Sequence, residues 1–589
     1  MLYVFLFTAI SGACYWVINK LYHWFSSKFP SIEWNLCKSV CQKGFSKWFC
    51  QKIFGNKDSC QPFCYRVVVN LVIGLGIMML IIPVKNLPLV IETEDASIDF
   101  AMILNKNVIP PRDERENIPF VFLDVDDKTY HSQSWGEPLF TPRNYLKNII
   151  ETSIAANPRL VLVDIDVSQP TLPPNDPIRK NYLANQLHPH DQALKDYLNN
   201  YATECKRKDE AKEKADGPCP IIILVRALSS DGSNSLPQPR IGFLEEVVRD
   251  GKPYLQWASA NFLSSEDQVI RRWELWKPVC RKDGKPMVVP SIELVAMANI
   301  QKDCSIEMMW NALKPFQPDN CNIVHEQKLP DNFKLCQLDT ETNIHSINQR
   351  INYQMSWPFL LPANDGLEDD SEKIDTLTTE TQDVLTIFSA EHFAESSSSV
   401  TQASLNKLKG SIVVIGGSYE GNDVHLTPLE QMPGALIIIN ALHTLLTLDK
   451  GVIKELKLSY QLLIMTFFII IITLILVKFD STLGIILSLG ISSLFIALAM
   501  WGLSFEGTWM NFTVPVLIVQ IYHIINDFEG LRKKIGESEE LRKKIFECDK
   551  LRKKICENAE LRKRIFKCES EELHLSEFSG KKVKLGNLK

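Results

Sequence analysis

The sequence predicts an α/β domain with a mostly parallel sheet, joined to an α-helical membrane region of four or five transmembrane helices and to a helical cytoplasmic tail. Three observations support this fold class. Apolar residues of the 589-residue chain concentrate near residues 1–18, 67–84 and 458–526, although the composition as a whole is ordinary, at 45% hydrophobic and 23% charged. Between these stretches, short apolar runs alternate with helical patterns. After the last stretch, a ten-residue repeat rich in helix-forming residues begins.

The membrane region is predicted from four apolar stretches, because a helix needs roughly 20 apolar residues to cross the bilayer core. Residues 1–18 are a fifth candidate, and since no charge precedes Lys20, they lack the basic start of a secretory signal peptide. We expect residues 1–18 to form a transmembrane or membrane-embedded helix, with an interfacial helix as the alternative. The four longer stretches are nearly free of charge and cover residues 67–84, 458–477, 483–503 and 509–525.

The distribution of Lys and Arg predicts the orientation, since short cytoplasmic loops carry an excess of positive charge. Residues 19–66 hold eight basic side chains against Glu33 and Asp58 alone, so we expect a basic cytoplasmic segment. Residues 86–456 then lie outside the cytoplasm, and three further crossings return the C-terminus to it. The formal net charge of only −6 gives no indication of a nucleic-acid partner.

Six of the fifteen cysteines lie in the predicted outer domain, and an even number in an oxidising compartment indicates up to three disulfides. The other nine thiols are expected to stay reduced. Two CxxxC pairs among them, Cys37 with Cys41 and Cys60 with Cys64, are spaced somewhat like metal ligands, but we expect ordinary apolar thiols and neither a metal nor a cofactor. Many pairings of the outer cysteines are possible, and neighbours in sequence suggest Cys205–Cys219, Cys280–Cys304 and Cys321–Cys336.

The outer domain contains short runs rich in Val, Ile and Leu without alternation, which is typical of strands covered on both faces. Strands that alternate with helices indicate a mostly parallel sheet. The predicted strands are Phe120–Val125, 160–167, Ile221–Val225 and 412–415. The predicted helices are Arg143–Ala155, 191–201, 291–300 and Gly434–Leu446.

Acidic residues follow two of these strands, and ligands of open α/β sheets collect at the carboxyl ends of strands. Such a cluster could hold a cation or an amine-bearing ligand. The alternative is that these side chains cap helices and bind turn amides. The residues are Asp124, Asp126 and Asp127 after the first strand, and Asp164 and Asp166 after the second.

A glycine pair follows the last predicted strand, in the sequence Gly416-Gly417-Ser418. Its backbone amides could receive an anion. It is not a Walker loop, because no Gly-Lys-Ser/Thr follows. We therefore expect a structural tight turn.

The order of motifs between residues 90 and 450 resembles the second class of the CHASE family, the cyclase/histidine-kinase-associated sensing extracellular domains. A strand with an acidic patch, FVFLDVDD, precedes Trp135 and the Pro142-Arg143 step, and a second strand, PRLVLVDIDV, follows. Asp191 and Leu194 open the next helix. The later segments are SANFLSSEDQVIRRW, PSIELVAMA, INYQMSWP and the closing VVIGGSYEGNDVHLTPLEQMPGALIIINAL.

The resemblance implies an extracytoplasmic sensory domain with an unidentified ligand, flanked by one N-terminal and three C-terminal transmembrane helices. It also implies a protein of the bacterial inner membrane whose large domain lies in the periplasm. The family supplies no catalytic residues. Within the matching motifs, Arg143, Asp423 and Thr427 join the five aspartates as candidate ligand-binding residues.

The chain departs from the family pattern in three places. The loop that carries Trp135 is loosened to WGEPLFTPR. The charged stretch 206–217 and the acidic, Ser/Thr-rich stretch 365–404 have compositions typical of mobile surface loops. Residues 529–589 are too few for a kinase, a cyclase or a diguanylate cyclase, so we expect no output domain.

Residues 529–570 contain the ten-residue repeat, and residues 571–589 form the remaining tail. Leu and Ile stand four apart in each unit, so both lie on one side of a helix. Ten residues fall about 80° short of three helical turns, so the apolar stripe winds around the helix and a strict heptad coiled coil is disfavoured. We expect a cytoplasmic helix that binds a partner or oligomerises, with a solvated charged helix as the alternative. The stripe consists of Leu531, Ile535, Leu541, Ile545, Leu551, Ile555, Leu561 and Ile565.

Two classes of function follow from these expectations. The first is a membrane-bound sensory or receptor-like protein that passes signals to a separate partner or scaffolds it. The second is a structural or assembly subunit of a cell-envelope complex that senses no ligand. We expect no enzyme, because the sequence lacks a nucleophile–base–orienter set and a zinc motif. The expected partners are the lipid bilayer and either another protein or a second copy of this chain, bound through the tail and the membrane helices.

Overall fold

The computed structural model describes residues 88–108, 118–132, 141–171, 187–211, 218–229, 236–321, 330–342, 346–357, 384–395, 400–421, 423–447, 453–479, 481–506 and 508–509, with single positions at 67, 71, 74 and 75. Several sequence predictions lie outside these described residues. They concern residues 1–18, 19–66, most of 67–84, Trp135, residues 510–525, the repeat and its apolar stripe, the remaining tail, and the two CxxxC pairs.

The strands are short, and those of the central sheet consist mostly of β-branched and large apolar residues, which suit a buried pleated surface. In chain order they are β1 (Phe120–Val125), β2 (Leu160–Val163), β3 (Ile221–Val225), β4 (Leu228–Ser229), β5 (Gln238–Pro239), β6 (Leu255–Ala258), β7 (Phe262–Ser264), β8 (Ile270–Trp273), β9 (Trp276–Cys280), β10 (Pro286–Pro290), β11 (Asn332–Leu335), β12 (Leu338–Glu341), β13 (Leu385–Ser389), β14 (Ile412–Gly417), β15 (Val424–Leu426), β16 (Gln431–Pro433), β17 (Lys454–Glu455) and β18 (Thr508–Trp509).

The helices alternate with these strands along much of the chain. In chain order they are α1 (Pro88–Val108), α2 (Asp127–Tyr130), α3 (Arg143–Ala155), α4 (Pro189–Ala211), α5 (Glu245–Asp250), α6 (Ile292–Ile300), α7 (Ile306–Leu313), α8 (Glu391–Glu395), α9 (Gln402–Leu408), α10 (Gly434–Leu446), α11 (Leu458–Lys478) and α12 (Ser481–Glu506).

Six strands form one sheet in the order β13-β1-β14-β2-β3-β6, and every neighbouring pair is parallel. The α/β class with a parallel sheet is thereby confirmed. β1 lies between two strands from the far end of the domain, since Phe120 aligns with Leu385 on one side and with Ile412 on the other. All six carboxyl ends therefore meet at one edge of the sheet.

Both faces of the sheet are buried, which explains why its strands lack polar alternation. The first face packs against α1, α6 and α10, and β1 contributes Phe120 and Phe122 to that core. The second face packs against α3, α4, α5 and α8, and β1 contributes Val121 and Leu123 to it. The molecule thus has three layers in this region, with helices on both sides of the sheet.

Most predicted elements are confirmed. The strands Phe120–Val125 and Ile221–Val225 and the helices Arg143–Ala155 and Gly434–Leu446 have the predicted bounds. β2 ends four residues before the predicted limit of 167, and β14 continues to Gly417. The predicted helix 191–201 is part of α4, and the predicted helix 291–300 is α6 together with its capping residue Ser291.

Two strands of the sheet were not predicted, and the loop interpretation of two stretches is partly wrong. β13 lies inside the acidic stretch 365–404, yet it pairs along its whole length with β1, and β6 forms the opposite edge of the sheet. Residues 206–211, from the charged stretch 206–217, continue α4. A composition averaged over a long stretch conceals a short buried strand, which needs only a few apolar residues to cover one neighbour.

Three disulfides join the six cysteines of the outer domain. Cys205 pairs with Cys219, as neighbours in sequence suggest. The other two suggested pairs are wrong, because Cys280 pairs with Cys321 and Cys304 with Cys336. The tertiary fold decides these pairs by bringing the end of β9 to the residue 41 positions later, with a Cα–Cα distance of 5.4 Å.

The described residues divide into two compact units. Among the described residues, 88–468 and 491–509 contain the sheet and its helices, whereas residues 469–490 and positions 67, 71, 74 and 75 belong to the second unit. Within the described ranges, one helix is long and apolar enough to cross a membrane, through Ile486–Leu503 of α12, and α11 holds a shorter apolar stretch. Trp509 belongs to β18, so the predicted last span does not begin at that residue.

Helix α1 is held to the domain by buried ion pairs. Arg272 donates from both Nη atoms to the two carboxylate oxygens of Asp95, over 2.7 and 3.0 Å. Arg350 donates to both Asp95 and Asp99, and Arg271 Nε donates to Asp99 over 2.8 Å. We call these five residues the α1 ion-pair network. None of its three arginines is more than 8% exposed, so the charges compensate one another away from water.

Gly416 marks the closest approach of a helix to the sheet, and its substitution provides a test of the packing. A Cβ at Gly416 would lie 2.5 Å from the Cβ of Ala435 in α10. We expect Gly416→Ala to lower the free energy of unfolding by about 1–3 kcal/mol, because neither backbone can withdraw easily. The measurement is denaturant unfolding of the detergent-solubilised chain, followed by tryptophan fluorescence.

Gly490→Ala is the matched control, because no atom lies within 4 Å of a Cβ built at Gly490 in α12. Alanine in a helix interior is favoured over glycine, so this variant should unfold no earlier than the wild type. Equal stability of Gly416→Ala and the wild type would contradict the described contact between β14 and α10.

Candidate functional site

Two of the predicted aspartates lie on the same face of the sheet, at its carboxyl edge. Side chains alternate between the faces of a strand. Phe122 and Leu162 belong to the first core, so Asp124 and Asp164, two positions further along β1 and just past the end of β2, lie on that face as well. β14 runs between the two strands and presents Gly416 at the same level, aligned with Asp124.

The glycine of β14 leaves room for the start of α10. A Cβ at Gly416 would approach the Cβ of Asp164 to 3.7 Å in addition to meeting Ala435. Gly434 begins α10, and a Cβ there would lie 2.4 Å from Oδ2 of Asp423. The carboxylate of Asp423 therefore lies against the first residue of α10, where the helix dipole favours a negative charge. The glycine pair allows close packing, and both residues belong to β14, so the expected tight turn at this position is wrong.

A third carboxyl group, which was not among the predicted ligand-binding residues, comes from α6. Glu293 lies in the first turn of that helix and is fully buried. It is close enough to Asp164 to affect its ionisation, as is Asp423. We call Asp164, Glu293 and Asp423 the carboxyl cluster. Its members come from the end of β2, the start of α6 and the segment before β15.

The two inner members of the carboxyl cluster, Asp164 and Glu293, lack a compensating positive charge among the described residues, whereas Asp423 lies beside His425. Burial, followed by Asp423 and Glu293, raises the pKa of Asp164 well above its ordinary value. Burial raises the pKa of Glu293 to about 8. The Ser291 hydroxyl and the Glu293 amide lie near enough to oppose this rise, but neither forms a hydrogen bond with the carboxyl group in the described structure. Within the described ranges, no salt bridge reaches Asp164 or Glu293.

Asp124 extends the acidic face on the far side of Gly416. Ser418 Oγ donates to its Oδ2 over 2.7 Å, whereas its Oδ1 has no hydrogen-bond partner among the described residues. Burial raises the pKa of Asp124 to about 7, and Asp126 and Asp127 add to this rise. At neutral pH this carboxyl group is therefore balanced between its acid and its carboxylate forms.

Asp126 and Asp127 hold local structure. Asp126 caps α2 and accepts hydrogen bonds from the Thr129 amide over 2.8 Å and from Ser389 Oγ over 3.1 Å. Asp127 accepts from the Glu420 amide over 2.6 Å. The capping interpretation thus describes these two aspartates, whose oxygens connect the end of β1 to the end of β13 and to the segment after β14.

Arg143 and Asp166 lie on the side of α3 and α4, away from the carboxyl cluster. Arg143 is buried and donates from Nη2 to the carbonyl oxygens of Asp166 and Gln169, over 3.1 and 3.2 Å. Asp191 at the start of α4 lies 3.9 Å from its Nε and accepts two hydrogen bonds from Thr171. The Pro-Arg step and the aspartate of α4 thus fasten the loop after β2.

Thr427 organises the turn between β15 and β16, where its hydroxyl exchanges hydrogen bonds with the backbone of Glu430. His425 lies 2.9 Å from Asp423, and that contact raises the pKa of the imidazole. Thr427 is therefore a structural residue of the hairpin that carries Asp423. Of the eight predicted ligand-binding residues, the structure brings Asp164 and Asp423 together, with Asp124 on the same face.

The arrangement is suited to binding positive charge. A carboxylate without a hydrogen-bond donor beside it can accept hydrogen bonds from N–H or O–H groups of a ligand or can bind a cation. Among the described residues, no group of three acidic, histidine or cysteine side chains is close enough to hold a metal ion. Glu293 could have been noticed from the sequence alone, because PSIELVAMA places one charge in an otherwise apolar run.

The acidity of Glu293 predicts how stability depends on pH. Its pKa is about 8 when folded against 4.5 ordinarily, so between these values the folded chain holds a proton that the unfolded chain releases. The free energy of unfolding should therefore fall as pH rises through this window. We expect Glu293→Gln to flatten the dependence, with a gain over wild type of about 1–3 kcal/mol at pH 8 and almost none at pH 4.5.

The measurement is denaturant unfolding of the solubilised chain at several pH values. Glu151→Gln is the control, because Glu151 lies on the exposed side of α3 with 53% of its side chain accessible. It should leave the pH profile unchanged. Parallel profiles for wild type and Glu293→Gln would refute a buried carboxyl group that titrates near neutral pH.

Comparison with known proteins agrees with the fold and with the order of motifs. The model of the CHASE2 domain matches residues 74–477, which is more than half of the chain and includes the whole sheet and the carboxyl cluster. No curated protein and no solved structure matches the chain. CHASE2 domains are extracytoplasmic sensory domains. The chain belongs to the CHASE2 domain family.

Proposed function

We propose that this chain is a membrane-bound sensory protein that passes a change in its outer domain to its membrane helices and thence to a separate protein. Family membership supports the sensory role. The proposal includes a periplasmic location for the domain, a cytoplasmic C-terminus, four or five transmembrane helices and no enzymatic activity. The observation that carries it is the attachment of α1, which follows the predicted span 67–84, to the body of the domain.

Surface character supports a membrane location for α11 and α12. Large apolar side chains remain exposed along both helices, including Leu463 at 66%, Phe467 at 63% and Leu494 at 60%. Exposed rows of this kind are costly in water and favourable in lipid. A soluble core helix would hide these side chains instead.

Segments that adjoin the predicted spans meet on the outer domain. β17 precedes α11, β18 follows α12, and the two strands pair in parallel. Trp509 is fully buried, and its Nε1 donates to Glu94 of α1 over 3.2 Å. Gln461 in the first turn of α11 donates to Glu455 over 3.0 Å. We call this group of contacts the juxtamembrane junction. It supports an outer location for the loop after α12, on the same side as the domain.

The α1 ion-pair network connects this junction to the interior. Glu94 contacts the junction, and Asp95, its neighbour in sequence, binds Arg272 and Arg350. Burial alone would raise the pKa of Asp95, but Arg350 and Arg272 hold it below its ordinary value. A displacement of β8 would therefore move α1, since separating buried charges without water costs several kcal/mol.

Signal transmission requires that α1 and the body of the domain adopt two alternative arrangements. The stimulus must bind one of these arrangements more tightly than the other. The tail repeat, with its apolar stripe, is the proposed docking segment for the partner or for a second copy of the chain. The bilayer is the other proposed partner, and no nucleic acid is involved.

Removal of one charge should loosen α1. Asp95→Asn leaves Arg272 and Arg350 buried with one carboxylate fewer, which should cost about 3–5 kcal/mol of stability. We expect faster hydrogen exchange of α1 amides, measured by mass spectrometry on the full chain in nanodiscs. Asp339→Asn is the control, because Asp339 pairs with Lys334 at an exposed site and should contribute at most about 1 kcal/mol. Unchanged exchange in Asp95→Asn would remove the proposed mechanical connection.

The sensory role itself is tested by thermal unfolding of the full chain in nanodiscs with a library of amino acids, amines, sugars, nucleotides and organic acids. A compound that binds the folded state raises the midpoint. We expect at least one such compound, and we expect it to change hydrogen exchange in α1. Failure of the whole library, together with recovery of the chain only within a large stoichiometric particle, would favour the structural-subunit alternative.

A further inference from the structure

Within the carboxyl cluster, Asp423 has His425 beside it, whereas no salt bridge reaches Asp164 or Glu293 among the described residues. Asp164 is influenced by burial, Asp423 and Glu293, all of which oppose its ionisation. Glu274 acts on Glu293 in the same sense. The α1 ion-pair network shows how the same domain compensates buried carboxylates elsewhere, with three arginines. Ligands of α/β sheets bind at the carboxyl ends of the strands, and carboxyl groups without a cationic partner at this edge favour the binding of a positively charged ligand.

Glu293 is the observation that points to a ligand. It is fully buried, and neither of its carboxyl oxygens has a hydrogen-bond partner among the described residues. A buried polar group without a partner costs free energy, and such groups are rare in folded proteins. The cost falls away once a donor from outside the chain forms hydrogen bonds with the carboxyl oxygens of Glu293.

Exposure increases along the cluster, which gives the guest a direction of entry. Glu293 is fully buried, Asp164 is partly buried, and the side chain of Asp423 is 49% exposed. His425 beside Asp423 is 41% exposed. A cation would therefore meet Asp423 first and Glu293 last, and it would exchange its water for carboxyl oxygens step by step.

The separation of the carboxyl groups distinguishes between classes of cation. A metal ion needs several ligand atoms within about 2.0–2.6 Å, and no three acidic, histidine or cysteine groups among the described residues come close enough for that. A protonated amine carries three N–H donors and reaches acceptors that stand further apart, each over a full hydrogen bond. The geometry thus favours an organic ammonium group.

We propose that the carboxyl cluster of Asp164, Glu293 and Asp423 binds a small organic amine in its protonated form, with the ammonium group between Asp164 and Glu293. The proposal rests on the sensory function and names the chemical class of the stimulus. Asp124, on the same face beyond Gly416, offers a free oxygen to a second amino group of a longer ligand. Primary amines and diamines are therefore the expected ligands.

Binding of an ammonium ion should release protons. Glu293 holds a proton at neutral pH when the site is empty, because burial raises its pKa to about 8, and burial raises the pKa of Asp164 in the same direction. A cation between them stabilises the carboxylate forms and lowers both pKa values. Affinity should therefore increase as pH rises from about 6 to about 8.5, through the Glu293 pKa of about 8, and each binding event should deliver protons to the buffer.

The experiment is isothermal titration calorimetry on the full chain in nanodiscs of phosphatidylcholine, a lipid without net charge. The probes are 1,4-diaminobutane and ethylamine, with magnesium chloride and calcium chloride as the metal arm. Repeating the titration in buffers of different ionisation enthalpy counts the protons released. We expect saturable binding of at least one amine, accompanied by proton release.

Glu293→Gln should weaken amine binding by about tenfold or more and reduce the proton release. Glu151→Gln, a matched change on the surface of α3, should leave both unchanged. Asp423→Asn provides a second variant at a half-exposed position, and it should weaken binding as well. Thermal unfolding of every variant confirms that the compared proteins are folded.

Three outcomes would overturn the proposal. They are the absence of saturable amine binding, amine binding that is equal in wild type, Glu293→Gln and Asp423→Asn, and saturable binding of a metal ion that displaces the amine. If the amines fail while a neutral or anionic compound stabilises the chain in the thermal screen, the cation assignment is wrong and the sensory function stands. Failure of both experiments counts against sensing itself.

Discussion

The parallel pairing of β1 with β13 and β14 is the constraint on which the rest of the domain depends. The centre of the sheet consists of one strand from the start of the domain and two from its end. Closing so long a loop costs entropy before any contact is gained, so the centre cannot form from local interactions. Once β14 lies between β1 and β2, Asp124, Gly416 and Asp164 stand side by side.

The domain treats buried charge in two opposite ways. In the α1 ion-pair network, Asp95 and Asp99 face three arginines, and Arg350 is completely buried between the two aspartates. Such a network is costly to break, and it fixes α1 to β8 in one arrangement. In the carboxyl cluster, acidic groups lie beside other acidic groups, so burial disfavours their ionised forms. The ion-pair network holds α1 rigidly, whereas the ionisation of the carboxyl cluster depends on whether a cation is bound.

These two sites lie on the same face of the sheet, on the side of α1, α6 and α10. The carboxyl cluster is built from the end of β2, the first turn of α6 and the segment before β15, which lies against the first residue of α10. The ion pairs join α1 to β8. Ser291, which caps α6, forms a bridge with Ser259 at the end of β6, and its amide bonds to Leu275 just after β8. A change at Glu293 therefore has a short route to the strand that holds α1. This route connects the proposed binding event with the proposed movement.

Local patterns determined much of this protein. Apolar runs predicted four strands of the sheet, because a strand that is buried on both faces consists almost entirely of apolar residues. A 3.6-residue periodicity predicted α3 and α10 with their observed bounds, because a helix that is buried on one face repeats its apolar residues with that period. The acidic residues after two strands indicated the edge of the sheet at which the carboxyl cluster lies.

The tertiary structure alone decided which aspartates bind turn amides and which stand unpaired, since Asp126 and Asp164 are indistinguishable until β14 and α6 are in place. It also decided the pairs Cys280–Cys321 and Cys304–Cys336, the membership of β13 in the sheet and the role of Glu293. These features depend on residues that are distant in sequence and adjacent in space, and no local pattern encodes that adjacency.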